Sequence, residues 1–383
     1  MTKSVQQLAD GRTSQRDPRL VRGLAEALAR RDPGRKLRFM HVCGTHEHEI
    51  SRYGLRRLLP PWLEVIAGPG CPVCVCPVSE LDLGAQLGLQ GKAIVATFGD
   101  LERVPARLSL AEVRAQGADV RVVTSAAGAA TLARSLPGRQ VVFLAVGFET
   151  TACTTAAVAL ADPPPNLSFV LSHRLVPPAL EALLSHPALA LDGFLLPGHV
   201  CTVQGTEEYA PLALSKGLKM AVAGFEPADV LDGLLALVDR VIADRPGVDN
   251  CYTRSVRTSG NTAARAFVAR VFTPLDAPWR GLGTIPRSGL AFTEEFAHLD
   301  ATSRFGLTPD RSLDVPDRAC RCDEILLGLR TPAGCPLFGR ACTPEHPHGP
   351  CMVSLEGTCA AWYRHPPEPA ELPAARHDDG GQR

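Results

Sequence analysis

The stretch LEVIAGPGCPVCVCP, residues 63–77, decides how the rest of the chain reads. Leu63 to Ala67 is a short apolar run of the kind that makes a buried strand. Gly68 and Gly70 follow, and their freedom lets a loop approach a ligand closely. Three cysteines then fall within six positions, and Pro77 suits the first turn of a helix, expected to end at Gly91. The order is strand, special loop, helix. A thiol held at a helix start meets orphan N–H groups and the positive end of the helix dipole, and both favour thiolate. Cys71 and Cys74, a C-x-x-C, are therefore placed for dithiol–disulfide exchange; two inert buried cysteines is the competing reading. Cys76, one position out of step, reads as a bystander.

Outward from this stretch the pattern repeats. Residues 37–42, 93–97, 120–124, 141–146, 169–172, 194–196 and 220–222 are short apolar runs separated by helical stretches. Strands alternating with helices imply right-handed βαβ units and parallel sheets covered on both faces, the α/β class. About eight such strands predict two sheets. The expected organisation is an N-terminal tail and helix over 1–36, with Asp17-Pro18 opening the helix, then α/β domains over 37–115 and 116–249 facing a cleft. A mainly helical and loop-built C-terminal domain follows over 250–365, and a disordered tail over 366–383.

Four unusual loops follow the carboxyl ends of these strands, where open parallel sheets bind ligands. They are Cys43-Gly44-Thr45-His46-Glu47, residues 68–74, Gly147-Phe148-Glu149-Thr150-Thr151 and Pro197-Gly198-His199-Val200. Cys43 offers a soft thiolate for iron, zinc or copper(I). His46 can ligate or take a proton, and Glu47 can orient the imidazole. His46 and His48 lack the i, i+4 spacing of the zinc-peptidase helix, so His48 and Glu49 read as a solvated helix face. Glu149 suits a proton carrier or a partner of a helix start, with capping by Thr150 or Thr151 in competition. His199 suits a site member or a loop hydrogen-bonder equally.

The 383 residues carry 40 basic and 40 acidic side chains, which removes the usual electrostatic argument for nucleic-acid or anionic-membrane binding. No apolar run reaches the roughly 18 residues of a membrane span, and the N-terminal residues lack the apolar core of a secretory signal. The expected location is the cytoplasm. Thirteen cysteines there point to metal or redox chemistry rather than to a disulfide framework. Six of them lie in CRCDEILLGLRTPAGCPLFGRACTPEHPHGPCMVSLEGTC, residues 320–359. Their uneven gaps, among prolines and glycines, fit a four-cysteine [4Fe–4S] site. The paired C-x-x-C knuckles of a structural zinc site are absent, but zinc remains the alternative.

Together, CGTHE, GPGCPVC, GFETT, P-x-H-V and CPLFGRACTP…GPCMVS-x-EG-x-C resemble the HypD family of [NiFe]-hydrogenase maturation factors over about residues 37–363, and GFEP at 224–227 fits the same pattern. The resemblance implies a scaffold on which the hydrogenase Fe(CN)2CO group is assembled. It implies work with the chaperone HypC, which helps hold the iron, and with HypE, which delivers cyanide after HypF makes the carbamoyl precursor. It also implies two α/β domains at a cleft and a third domain with a [4Fe–4S] cluster in surroundings like those of ferredoxin–thioredoxin reductase. Carried over by position, Cys43 matches the iron-ligating thiol and Cys71 and Cys74 the redox pair. Cys322, Cys335, Cys342 and Cys359 are the chosen cluster ligands, with Cys320 and Cys351 as competitors. His46, Glu47 and Glu149 are expected to move protons or orient ligands. Cys201 stands where the family pattern has Ser, and like Cys153 and Cys251 it has no assigned role. The competing functions are a cluster-dependent thiol–disulfide reductase and a zinc-stabilised partner-docking adaptor.

Overall fold

The computed structural model describes residues 14–315 and 319–367. The expected tail over 366–383 falls mostly outside these residues, as do residues 1–13. The first helix, Pro18–Ala29, begins as its sequence implies: the Asp17 carboxylate accepts the Arg19 N–H at 2.8 Å, with Pro18 in the first turn. No helix among the described residues is long and apolar enough to cross a membrane.

All eight apolar runs form strands: β1 (Leu37–His41), β2 (Leu63–Ala67), β3 (Ile94–Thr97), β4 (Val120–Val122), β5 (Val141–Gly147), β6 (Leu167–His173), β7 (Gly193–Pro197) and β8 (Lys219–Ala223). A ninth, β9 (Gly247–Asn250), follows. They build two parallel sheets, β2-β1-β7-β8-β9 and β4-β3-β5-β6, so the chain is α/β. The expected division near residues 110–120 does not coincide with a change of sheet, because β3 pairs with both β4 and β5. The chain instead leaves the first sheet after β2, builds the second from one continuous segment, and returns with β7 beside β1. An apolar run shows that a strand is covered on both faces, but not which strand lies next to it.

Side chains alternate between two cores along each strand, as the pleat requires. In the first sheet Leu37, Phe39, Val65 and Leu195 pack with the helices Pro18–Ala29 and Pro227–Ile242. Met40, Ile66, Phe194 and Leu196 turn the other way, into a core that also receives Val142, Leu144 and Val146 of the second sheet. That same core takes in Cys71, Cys74, Cys76 and the buried cysteines of the C-terminal block.

The segment 250–320, expected as helices and loops, also contains an antiparallel hairpin, β10 (Phe272–Trp279) and β11 (Gly283–Phe292). Three prolines, Pro274, Pro278 and Pro286, hid it, since proline argues against a central strand. A two-stranded ribbon has only edges and tolerates them. The middle of β11 is tied to the segment that follows β6 by the Leu175 N–H to Ser288 O bond of 2.8 Å.

The C-terminal block is tied to the first sheet through Glu47. The Trp362 indole N–H donates to Glu47 Oε1 at 2.7 Å. Arg56 donates to both oxygens, at 3.0 and 2.8 Å, Ser51 Oγ donates at 2.8 Å, and His41 Nε2 lies 2.7 Å away. Burial alone would raise the Glu47 pKa; Arg56 and His41 outweigh it and hold the carboxyl below the usual range. The reading in which Glu47 orients His46 is thereby corrected. Its oxygens serve these four residues, and His46 bonds elsewhere. Replacing Glu47 by Ala strands Arg56 beside His41 in a site closed to water, and is expected to cost roughly 3–5 kcal/mol of stability, read by urea unfolding at pH 7. A carboxyl depressed on folding stabilises above its unfolded pKa and loses that contribution as pH falls towards its folded value. The gap between wild type and variant should therefore narrow in acid.

Candidate functional site

Each sheet has one point where neighbouring strands send the chain in opposite directions, and ligand crevices open at such points. In the first sheet it lies between β1, which leads to β2, and β7, which leads to β8. Cys43 follows β1 and N-caps the helix Gly44–Arg52. His199 follows β7, in the helix Gly198–Gln204. Cys43 Sγ lies 4.0 Å from His199 Nδ1. In the second sheet the point lies between β3 and β5; the loop after β3 carries Asp100, and the helix after β5 opens with Glu149.

The cysteine-rich loop after β2 lies directly against Cys43. A Cβ on Gly70 would sit 2.0 Å from Cys43 N and 2.3 Å from Val42 C, so only glycine fits. The Gly44 N–H donates to Gly70 O at 2.9 Å. Cys71 caps a helix of its own, Pro72–Val75, and its Sγ accepts the Cys74 N–H at 3.2 Å. Pro77 caps the next helix, Val78–Leu89, rather than entering its first turn. Cys71 and Cys74 are joined as a disulfide, with their Cα atoms 5.2 Å apart. Cys76 faces away, 3.1 Å from Ser172 Oγ. Ser172 donates to Glu80 at 2.5 Å, and Glu80 pairs with Arg174 at 2.8 Å.

Two imidazoles stand near Cys43. His46 is fully buried, and its Nε2 lies 2.8 Å from Gly224 O. Burial first, then the neighbouring His41, lowers its pKa to about 3, so it is neutral at pH 7. Burial also lowers His199, to about 4. The Phe225 ring lies between them, 5.3 Å from His46 and 5.2 Å from His199. This gives the GFEP motif a part in the site: it supplies both the carbonyl and the ring that fix the imidazoles.

Carboxyls complete the surroundings. Glu149 opens the helix Glu149–Leu160 and accepts the Val176 N–H at 2.8 Å. Neither Thr150 nor Thr151 caps that helix. Burial, partly offset by the Val176 bond, raises Glu149 to about 7. Cys201 is a buried thiol raised chiefly by burial, with Glu149 adding to the rise. Burial, then Glu356, pushes the Cys43 thiol up to about 12. Glu356 accepts from Thr45 Oγ1 at 2.9 Å, and Asp100 accepts from Ser354 Oγ at 3.1 Å. Sequence reasoning singled out neither acid. Their signal lay in their loops: Asp100 follows β3 in a Gly-containing turn, and Glu356 sits inside the S-x-EG-x-C motif.

The C-terminal block covers both loops. The helix Pro350–Val353 packs on Pro72–Val75, and Thr358–Arg364 packs on Gly44–Arg52. A Cβ on Gly44 would meet Glu356 O at 2.4 Å. Cys322, Cys335, Cys342, Cys351 and Cys359 are buried, and Cys320 is half-buried. Cys322 and Cys351 Sγ lie 3.1 Å apart, and the His348 N–H donates to Cys342 Sγ at 3.3 Å. Burial, then the thiols of Cys322, Cys320, Cys342 and Cys335, raises Cys359, so the cysteines of this block form one group. Among the described residues, no three His, Cys, Asp or Glu side chains converge as a single-ion site would require. The donor set is thiol throughout, backed by an N–H···S bond and wrapped by Gly349 and Gly357. That chemistry fits a thiolate-held iron–sulfur cluster.

The α/β chain thus gathers a lone thiol, a thiol pair and a group of thiols into one buried region. The HypD family model, described as the hydrogenase formation hypA family, matches residues 19–366. The chain is 45% identical to the hydrogenase maturation factor HypD of Azotobacter vinelandii, over 91% of this chain and 94% of that protein. It is 44% identical to that of Cupriavidus necator, over 94% and 96%, and 43% identical to that of Escherichia coli K12, over 88% and 91%. The chain belongs to the HypD family of hydrogenase maturation factors.

Glu149 allows a test of the site's electrostatics. Its folded pKa of about 7 lies above the ordinary 4.5, so between these values the folded state keeps a proton that the unfolded state has lost. Stability therefore falls as pH rises through that window. Glu149→Gln should remove this fall. Urea unfolding at pH 5 and pH 7.5 is expected to show the variant gaining on wild type at the higher pH.

Proposed function

We propose that this chain is the scaffold on which the Fe(CN)2CO group of [NiFe]-hydrogenases is assembled. Iron, the cargo, is held by Cys43 together with a thiolate of the chaperone HypC, and cyanide arrives from HypE. The observation that carries the reading is the contact of Gly70 with the Cys43 backbone. It sets the redox pair beside the metal-binding thiol with no side chain between the two loops. A stand-alone thiol–disulfide reductase would have no use for that contact or for Cys43.

Each residue then has a task. Cys43 is protonated at neutral pH, so taking up iron releases a proton, and its burial keeps water from the bound metal. His46 and His199 stay neutral against Phe225 and line the thiol without competing for charge. Glu149, raised to about 7, holds a proton that can be given or taken near neutral pH. Cys71 and Cys74 release two electrons and two protons when they close to a disulfide, and take up the same on reopening. A [4Fe–4S] cluster held by Cys322, Cys335, Cys342 and Cys359 would supply electrons singly to this two-electron pair.

Infrared spectra of the purified complex with HypC test the scaffold reading. Cyanide and CO stretches are expected with wild type and should be lost in Cys43→Ala; normal bands in that variant would overturn the iron-ligand assignment. Cys71→Ala or Cys74→Ala is expected to abolish hydrogenase maturation while iron and sulfide content stay at the wild-type level. Loss of cluster iron in either variant would assign those thiols to the cluster instead.

A further inference from the structure

The hairpin turn between β10 and β11 reaches the dithiol loop from outside the two sheets. The Arg280 N–H donates to Val75 O at 2.9 Å. Its side chain donates to Cys76 O twice, from Nε at 3.1 Å and from Nη2 at 3.0 Å. These two carbonyls close the short helix Pro72–Val75 that carries Cys74. The next residue, Gly281, has φ +80°, and a Cβ there would lie 2.8 Å from Asp323 Cα, beside Cys322. Arg280 and Gly281 share with Cys320 and Cys322 the wall of a cavity of about 350 Å³. One arginine thus touches the dithiol loop and borders the C-terminal thiols. Glu80, the acid beneath this loop, is engaged by Arg174 and Arg311 instead.

We infer that Arg280 is a positioning residue for the Cys71–Cys74 pair, clamping the carboxyl end of its helix and favouring the reduced form by its charge. This rests on the redox-pair reading above. Reduction breaks the S–S bond and takes up two electrons, with one proton where one sulfur stays thiolate and two where both become thiols. A thiolate formed there adds negative charge to the short helix whose closing carbonyls Arg280 binds. The guanidinium, held on that loop by Cys76 O, places an opposite charge beside it and so favours the ionised form. Removing it leaves the neutral disulfide unaffected and the thiolate-bearing form less stable.

The test uses the full chain purified without oxygen, as wild type, Arg280→Gln, Arg280→Met and Arg280→Lys. Each is equilibrated in buffers of reduced and oxidised dithiothreitol, which supply or accept the electron pair. After acid quenching and alkylation, peptide masses give the disulfide fraction at Cys71 and Cys74, and iron and sulfide are counted in the same samples. Gln and Met are expected to move the equilibrium towards the disulfide roughly tenfold, ~30 mV for a two-electron couple, with iron and sulfide unchanged. Lys should stay within about threefold of wild type. The inference fails if the neutral variants titrate with wild type, or if Lys moves as far as Gln. A variant that is merely less stable to urea, with an unmoved midpoint, also overturns it. If the wild-type pair stays in one form across all buffers, the redox-pair reading itself falls, and this inference with it.

Discussion

A single carboxylate, that of Glu47, fastens the C-terminal thiol block to the strand that delivers Cys43. It is buried, and a buried charge persists only when it is neutralised and hydrogen-bonded. Here the partners come from opposite ends of the chain: His41 ends β1, Ser51 and Arg56 follow it, and Trp362 belongs to the last described helix. Arg56 also lies over the Trp362 ring at 5.5 Å. The C-terminal block is therefore fastened to the strand that delivers Cys43. Gly44 against Glu356 is the close approach this fastening accompanies.

The gathered groups share one dry environment. Cys43 and Cys76 are both pushed up to about 12, with burial the chief cause, while His46 and His199 are pushed down. Each shift favours the neutral form, which is what low dielectric does to unpaired acids and bases. The exception carries the structure: Glu47 is held ionised by Arg56 and His41. The region thus separates fixed charges that hold the fold from neutral thiols and imidazoles that can respond to a metal or an electron.

Much of this was legible in the chain. All eight named apolar runs between residues 37 and 223 became strands, because a strand covered on both faces needs mostly apolar side chains. The edge strand Gly247–Asn250 was not legible: it contains one apolar residue, Val248, and is only half-buried. The thiols announced themselves through their glycines and prolines. What could not be read was which groups meet across long separations. Glu47 looked like a partner for its neighbour His46 and serves Trp362, 315 positions away. Asp100 and Glu356 drew no attention, since an isolated acid gains meaning only from what stands opposite it. Sheet membership was hidden for the same reason.

The route of the chain through the two sheets has a consequence for synthesis on the ribosome. The second sheet comes from one uninterrupted segment and can close as soon as β6 has emerged. The first sheet cannot: β1 and β2 appear early, yet their neighbour β7 follows only after the whole second sheet. Throughout that interval Cys43, Cys71 and Cys74 are translated but lack their cover, and the Trp362 that fastens the last layer is not yet made. The loops of Cys43, Cys71 and Cys74 are thus made early and enclosed late. Nascent chains therefore pass through a period in which these thiols are open to oxidants and stray metal ions.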